Sequence, residues 1–179
     1  MGREIRRVPK DWEHPINEEC RHRSWGGYTP HDGEGSNDFT RGKCFRSCYD
    51  KDYESAAQAW IASFFLWLQG KHHDQQPSKS GYVTSAKYYW EWTNTPDEDT
   101  CRPAFTSEPT GYQIYETVSE GTPVSPVFET LADMEAWLVG HGYSSKAASA
   151  FCKQGWVPSM IYSPETGLVS DIETAGLND

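Results

Sequence analysis

Hydrophobic and polar positions follow their most regular pattern between residues 111 and 162. Residues 112–118 are rich in aromatic and β-branched side chains and lie between two glycines, which predicts a strand. Residues 124–128 form a second extended run that is interrupted by proline. Because proline cannot donate to a sheet, we place this run at a sheet edge.

Two helices follow in the pattern. Thr130 is a favourable N-cap for a helix that ends near residue 139. Its apolar stripe, which would cover the sheet, is Leu131, Met134, Trp137 and Leu138. Ser144 or Ser145 caps a second helix that ends at Gly155. Its inward positions are Ala147, Ala148, Phe151 and Cys152. Residues 156–162 then return as a strand.

This order of elements predicts an α+β fold, a small and mostly antiparallel sheet with helices packed on one face. A long irregular N-terminal region precedes it. We assign residues 1–51 to an N-terminal arm and an irregular region, and residues 52–179 to a compact α+β domain. We expect no regular element in residues 1–15, only an arm that packs Val8 and Trp12 onto the body. Residues 168–172 add an edge strand near the C-terminus.

A strongly apolar helix is predicted between Asp52, which can cap it, and Gly70, which can end it. Trp60, Trp67 and their neighbours make this helix apolar on nearly every side. We interpret it as a core helix. If its aromatic surface is exposed instead, that surface is a candidate partner site. The following aromatic stretch, residues 85–92, fits either a helix or a strand.

Charge is distributed unevenly along the 179 residues. The net charge is −10, with +1 on residues 1–51 and −11 on residues 52–179. The acidic body argues against general binding of nucleic acid or of anionic membranes, and it permits docking on a basic partner. Solubility alone is the simpler explanation. The candidate binding residues are Glu116, Glu120, Trp60, Trp67, Asp97, Glu98 and Asp99.

A candidate zinc site brackets a loop rich in Gly, Asp, Asn and Ser. Its soft ligands are Cys20, His22, Cys44 and Cys48. The spacing differs from that of common zinc knuckles, so scattered reduced thiols are the alternative interpretation. No other cofactor is expected. The His72-His73-Asp74 triplet also attracts attention, but adjacent histidines on a loop are expected to point apart. We interpret it as a solvated turn.

Signatures of established enzyme classes are absent from the sequence, including a Walker loop, GxGxxG, HExxH and GxSxG. A hydrolase could still be assembled from Glu116, Glu120 and His141, with nearby hydroxyls. The residues around Glu120 are explained more simply as a turn. A protein without catalytic activity is therefore the favoured interpretation, although the question of activity stays open.

Three segments together resemble a family of small tailed-bacteriophage proteins to which no function is assigned. These segments are MGREIRRVPKDWEHP at the N-terminus, YQIYETVSEGTPVSPVF at residues 112–128 and GWVPSM at residues 155–160. The resemblance covers the first fifteen residues and roughly residues 96–162. It implies a phage accessory protein that acts in an infected bacterial cell, and it implies no particular activity.

The expected function is binding of a host protein, so that this protein is modulated or inhibited. A nucleic-acid-handling or defence enzyme with a basic groove is the kind of target that an acidic surface suits. The alternatives are a small hydrolase or zinc-dependent enzyme, and a minor virion component. The chain has no apolar run of membrane-spanning length and no signal peptide, so we expect the host cytoplasm, with no contact to membranes or nucleic acid.

Overall fold

The computed structural model describes residues 2–16, 45–77, 83–117, 121–164 and 167–177. Within these ranges the helices are α1 (Tyr53–Leu68), α2 (Tyr89–Trp92), α3 (Leu131–Gly140) and α4 (Ser145–Gln154). The strands are β1 (Arg3–Val8), β2 (Tyr49–Asp52), β3 (Cys101–Arg102), β4 (Gly111–Glu116), β5 (Thr122–Pro123), β6 (Trp156–Val157), β7 (Met160–Ser163) and β8 (Gly167–Ser170). Short 3-10 segments span His73–Gln75 and Asp171–Leu177.

The fold is α+β, as predicted, and the contacts within the chain divide it into two compact units. Unit 1 comprises residues 1–48 and 105–179, and unit 2 comprises residues 49–104. Residues 17–44, on which the predicted irregular N-terminal region depends, lie outside the described residues.

Unit 1 is built on a four-stranded antiparallel sheet with the order β5-β4-β1-β6. The N-terminal residues provide its second inner strand, because β1 pairs with β4 along its whole length, from Arg3 opposite Glu116 to Val8 opposite Gly111. The prediction that residues 1–15 contain no element was therefore wrong. The six-residue strand was not predicted because proline at position 9 follows it directly and because its partner strand is remote in sequence.

The sheet edge next to β4 agrees with the prediction. Tyr112 and Phe128 exchange two backbone hydrogen bonds, of 2.9 and 2.8 Å, and the Val124 amide donates to the Ile114 carbonyl. Residues 124–128 thus lie along the edge, beyond the two residues of β5. The predicted single strand at 156–162 is in fact two short strands, of which β6 joins the sheet and β7 forms a separate hairpin with β8.

One face of the sheet is covered by α3, α4 and the 3-10 segment Asp171–Leu177. Thr130 and Ser144 cap the two helices as predicted, each accepting a hydrogen bond from the third residue that follows it. Gly155 ends α4 in the left-handed conformation. The fully buried apolar residues of this core include Ile114, Met134, Leu138, Ala148, Phe151, Val157 and Ala175.

Unit 2 contains α1, α2 and the pair of short parallel strands β2 and β3. Asp52 caps α1, as predicted, through a 2.8 Å hydrogen bond from the Ser55 amide to its carboxylate. The prediction of a core helix was wrong. Trp67 is the only buried residue of α1, whereas Phe65 is 56% and Leu68 is 64% exposed. Apolar character on all sides therefore does not mean that this helix is enclosed.

Candidate functional site

An open groove with a volume of about 1370 Å³ lies entirely within unit 2. Its lining comes from β2, from the N-terminal half of α1, from α2 and from the loop that follows α2. The groove therefore brings together the aromatic stretch at residues 88–92 and the acidic loop that contains Asp97 and Glu98.

Aromatic rings stack against each other along the groove. Trp60 lies parallel to Phe64, with ring centroids 5.5 Å apart, and 5.1 Å from Tyr89. Trp90 stacks on Tyr88 with the centroids 4.8 Å apart. Mutual stacking restricts the rotamers of these side chains, so the wall presents preorganised ring faces.

Carboxylates contribute the negative charge of the lining, beside neutral polar residues such as Thr93 and Asn94. Asp50, Asp97 and Glu98 line the groove, and Lys51 is the one cationic residue among the described residues that line it. The loop that carries Asp97 is held in a turn, because the carboxylate of Asp97 accepts a 3.0 Å hydrogen bond from the amide of Asp99. The Asp97 carbonyl accepts further bonds from the backbone of Thr100 and of Cys101.

Trp60 carries a polar group for which the described residues provide no hydrogen-bond partner. Its indole nitrogen is buried, and no acceptor for it lies among the described residues. A buried donor in this state is uncommon in folded proteins and costs about 1–3 kcal/mol. An acceptor from a bound molecule or an ordered water is the kind of group that would satisfy it.

The predicted binding residues fall in different places. Trp60, Asp97 and Glu98 line the groove together. Asp99 is exposed on the same loop but outside the lining. Trp67 is buried against Tyr89, and its indole N–H donates to the Lys87 carbonyl.

The two glutamates that were predicted as binding residues belong to unit 1. Glu116, at the end of β4, is largely buried and forms a 3.1 Å ion pair with Arg3. Arg3 also pairs with Asp171 at 3.0 Å, so the Glu116 carboxylate is one part of a structural network. Glu120 lies outside the described residues.

The predicted zinc ligands are described only in part. Cys48 is fully buried, and its sulfur accepts a 3.4 Å hydrogen bond from Nε of Arg46. Its carbonyl accepts a 2.8 Å bond from Arg6. Cys20, His22 and Cys44 lie outside the described residues.

The groups considered for a hydrolase in unit 1 have structural partners. Ser125 is buried, and its hydroxyl accepts a 2.9 Å bond from the Ile114 amide. His141 stacks on Trp137, and its Nδ1 lies 2.8 Å from the Trp137 carbonyl. Cys152 was not among the groups considered; burial and the nearby Glu135 raise the pKa of its thiol to about 11, so it is protonated at neutral pH and a poor nucleophile.

A buried polar network lies on the sheet face opposite the helices of unit 1. The Tyr115 hydroxyl donates to Gln113, accepts from Trp12 and lies 3.3 Å from Nδ1 of His14. Nε2 of His14 lies 2.6 Å from the Arg46 carbonyl, which it can reach only as a donor. Burial lowers the pKa of His14, so that the neutral imidazole is favoured. We interpret this network as structural, because its hydrogen bonds fix residues 12–16 and 45–46 against the sheet.

The segment His72-His73-Asp74 is a turn, as predicted, but the expectation that its two histidines point apart was wrong. The two imidazole rings lie 4.3 Å apart, and His72 is buried. A 3-10 turn begins at His73, and it brings the side chains together.

Four further aromatic residues of the lining were not predicted as site residues: Tyr49, Tyr53, Tyr89 and Trp90. For Tyr89 and Trp90 the available signal was the aromatic run at residues 88–92. The pattern gave no secondary structure for this run, because a single helical turn has no periodicity to detect.

Comparisons of the chain with protein-family models, with curated proteins and with solved structures found no match. In the part of the chain that the structure describes, no helix is both long enough and apolar enough to cross a membrane.

Proposed function

We propose that this protein is a bacteriophage accessory protein that binds a host protein through the groove of unit 2 and thereby modulates or inhibits it. The observation that carries the proposal is the combination of stacked aromatic rings and carboxylates in one open groove. The resemblance of the sequence to tailed-bacteriophage proteins supplies the biological setting, the cytoplasm of an infected bacterium.

The chemistry of the lining favours a basic segment of a protein as the occupant. Arginine and lysine are attracted to the faces of tryptophan and tyrosine, and arginine also stacks on them. Asp50, Asp97 and Glu98 are placed to neutralise such a cation, with Lys51 as the only opposing charge among the described lining residues. A cationic side chain flanked by an apolar residue would use both the rings and the carboxylates.

The exposure of the aromatic side chains supports a protein partner. Trp90 is 54% exposed and Tyr49 is 47% exposed, although both are large rings beside the groove. Tryptophan, tyrosine and arginine dominate the residues that contribute most to protein–protein affinity. Large apolar side chains that lie together on a surface commonly mark an interaction site.

The proposal is tested by capture from infected bacterial cells with the tagged full-length chain and three variants. Trp90→Ala removes an exposed ring of the groove, and the Asp50→Lys/Glu98→Lys double variant reverses two of its charges. The Glu13→Lys/Glu108→Lys double variant is the matched control, since it makes the same charge change at exposed positions of unit 1. Circular dichroism checks that all the variants are folded.

We expect a stoichiometric host protein that the wild type and the control capture equally. Trp90→Ala should weaken its binding by roughly 30-fold, as expected for a residue worth about 2 kcal/mol at an interface. The charge-reversed double variant should abolish capture. Binding should weaken at raised ionic strength, because the carboxylates are exposed to solvent. Equal capture by all four proteins, or no specific partner in repeated experiments, would refute the proposal.

A further inference from the structure

Three consecutive residues of unit 2 bring metal-binding atoms together just after α1. A ring nitrogen of His72, a ring nitrogen of His73 and a carboxylate oxygen of Asp74 all lie within 4.8 Å of one another. None of these residues lines the groove. The cluster is therefore separate from the proposed binding site.

Two distances within the cluster match the spacing of ligands around a single ion. Nδ1 of His72 lies 3.4 Å from Oδ2 of Asp74, and Nε2 of His73 lies 3.3 Å from the same oxygen. Hydrogen bonds between an imidazolium and a carboxylate are shorter, at about 2.7–2.9 Å. Two ligands of a tetrahedral zinc ion, bound at about 2.1 Å, lie about 3.4 Å apart.

Neighbouring side chains hold two of the three ligands in place. His72 is 4% exposed, and its ring packs against Trp67 and Tyr89 with centroid distances of 5.5 and 5.4 Å. The indole N–H of Trp92 donates a 2.9 Å hydrogen bond to Oδ2 of Asp74. Such bonds to the ligands are typical of metal sites, where they orient the carboxylate.

Two further observations concern the space around the cluster. The side chain of His73 is 83% exposed, so the cluster is open to solvent on that side. The amide of Asp74 donates to Nδ1 of His72 at 3.3 Å, a long hydrogen bond that a metal ion bound at Nδ1 would have to displace.

We propose that His72, His73 and Asp74 form a binding site for a divalent transition-metal ion, with Zn²⁺ as the expected occupant. Two imidazoles and one carboxylate suit zinc and its neighbours, whereas Ca²⁺ and Mg²⁺ require mostly oxygen ligands. Three protein ligands leave a coordination position for water or for a ligand from another molecule. This site shares no residue with the cysteine and histidine set predicted from the sequence.

The test is a titration of the metal-free, full-length protein with Co²⁺ and with Zn²⁺, followed by visible absorption and calorimetry. The variants are His73→Ala, which changes an exposed side chain, and Asp74→Asn. Trp92→Phe removes the indole N–H that orients Asp74 and keeps an aromatic ring. His141→Ala is the matched control, because His141 is an exposed histidine of unit 1.

The wild type and His141→Ala should bind one equivalent of metal that His73→Ala and Asp74→Asn do not bind. Its Co²⁺ spectrum should lack the sulfur-to-cobalt charge-transfer band that cysteine ligands produce. Trp92→Phe should weaken this binding by roughly tenfold, as expected for the loss of a hydrogen bond that orients a metal ligand. Zn²⁺ should raise the Tm of the wild type and leave the Tm of His73→Ala unchanged.

Two results would overturn the proposal. One is equal stoichiometry and affinity in the wild type and in His73→Ala. The other is that all the bound Co²⁺ shows the thiolate band and is lost in a Cys20→Ser/Cys44→Ser variant, which would place the metal at the cysteines instead.

Discussion

At the scale of single residues, Gly121 is, among the described glycines, the one where the surroundings leave least room for a side chain. Its φ is +101°, a conformation that glycine adopts readily and other residues rarely do. A Cβ atom at this position would lie 2.0 Å from the Cys48 carbonyl oxygen and 2.5 Å from the Arg6 guanidinium. Arg6 donates to that same carbonyl, so glycine here allows three segments of unit 1 to meet.

Gly121→Ala should therefore destabilise unit 1 by about 3 kcal/mol or more, because backbone strain and a clash with main-chain atoms add together. Gly142→Ala is the matched control. Gly142 also has a positive φ, of +95°, but a Cβ atom there would meet nothing within 4 Å among the described residues. Its substitution therefore isolates the strain, at about 1–2 kcal/mol. Denaturant unfolding of both variants measures the difference. Equal losses would mean that the surroundings of Gly121 rearrange freely.

At the scale of secondary-structure elements, the start of α1 depends on one carboxylate. Asp52 accepts the Ser55 amide, and this hydrogen bond holds the pKa of Asp52 below its usual value of 3.8. Arg102 lies 3.6 Å from the same carboxylate and acts in the same direction. Because α1 exposes much of its apolar surface, the cap is a comparatively important part of what stabilises this helix.

Asp52→Ala should lower the free energy of unfolding by about 1 kcal/mol at neutral pH. The lowered pKa means that the folded protein releases this proton more readily than the unfolded chain does. The stabilisation by Asp52 is thus complete above its usual pKa of 3.8 and is lost as the pH falls from 3.8 through the folded-state pKa. Guanidinium unfolding measured across this pH range should show that the difference in the free energy of unfolding between wild type and variant decreases as the pH falls.

Glu54→Ala provides the control for this element, since it removes one negative charge from the same helical turn without touching the cap. Its effect should be a few tenths of a kcal/mol. If Glu54→Ala is as destabilising as Asp52→Ala, the hydrogen bond to Ser55 contributes little and charge alone explains the effect.

Elements were predictable where their signals were local. The caps at Thr130, Ser144 and Asp52 are set by nearby residues, and the structure confirms all three. Strand β1 was missed because its stability comes from pairing with β4, a strand remote in sequence that no local pattern reveals. The split of residues 156–162 between two sheets was missed for the same reason.

The candidate sites were predictable to a smaller extent. Charge and aromatic content pointed to Trp60, Asp97 and Glu98, which the fold places in one groove. The convergence of His72 and His73 depends on the backbone angles of a single 3-10 turn, which composition does not determine. The exposure of α1 could not be predicted from the sequence either. A helix that is apolar on all sides gives no information about which side is covered.

At the scale of the whole molecule, unit 2 is an insertion in unit 1. The core residues of unit 1 all lie outside residues 49–104. The two ends of unit 2 are near each other, because the Tyr49 amide donates a 2.9 Å hydrogen bond to the Thr100 carbonyl. A short connection can therefore replace the whole insertion.

Replacing residues 49–104 by a Gly-Ser linker of about six residues should leave unit 1 folded, because linkers of this length close such connections readily. We expect a cooperative thermal transition and native-like near-ultraviolet circular dichroism from the remaining residues. A molten or aggregating product would show that unit 1 requires unit 2 for its stability. The shortened protein should also fail to capture the host partner, as the groove has been removed.

The pairing of β1 with β4 also has a consequence for synthesis on the ribosome. Ile5 emerges early, but its partner Ile114 is made only after the entire insertion has been translated. Residues 49–104 can collapse locally during that interval, whereas the first strand has no sheet to join. A nascent chain of this protein would therefore carry β1 without its partner strand until the insertion has been made.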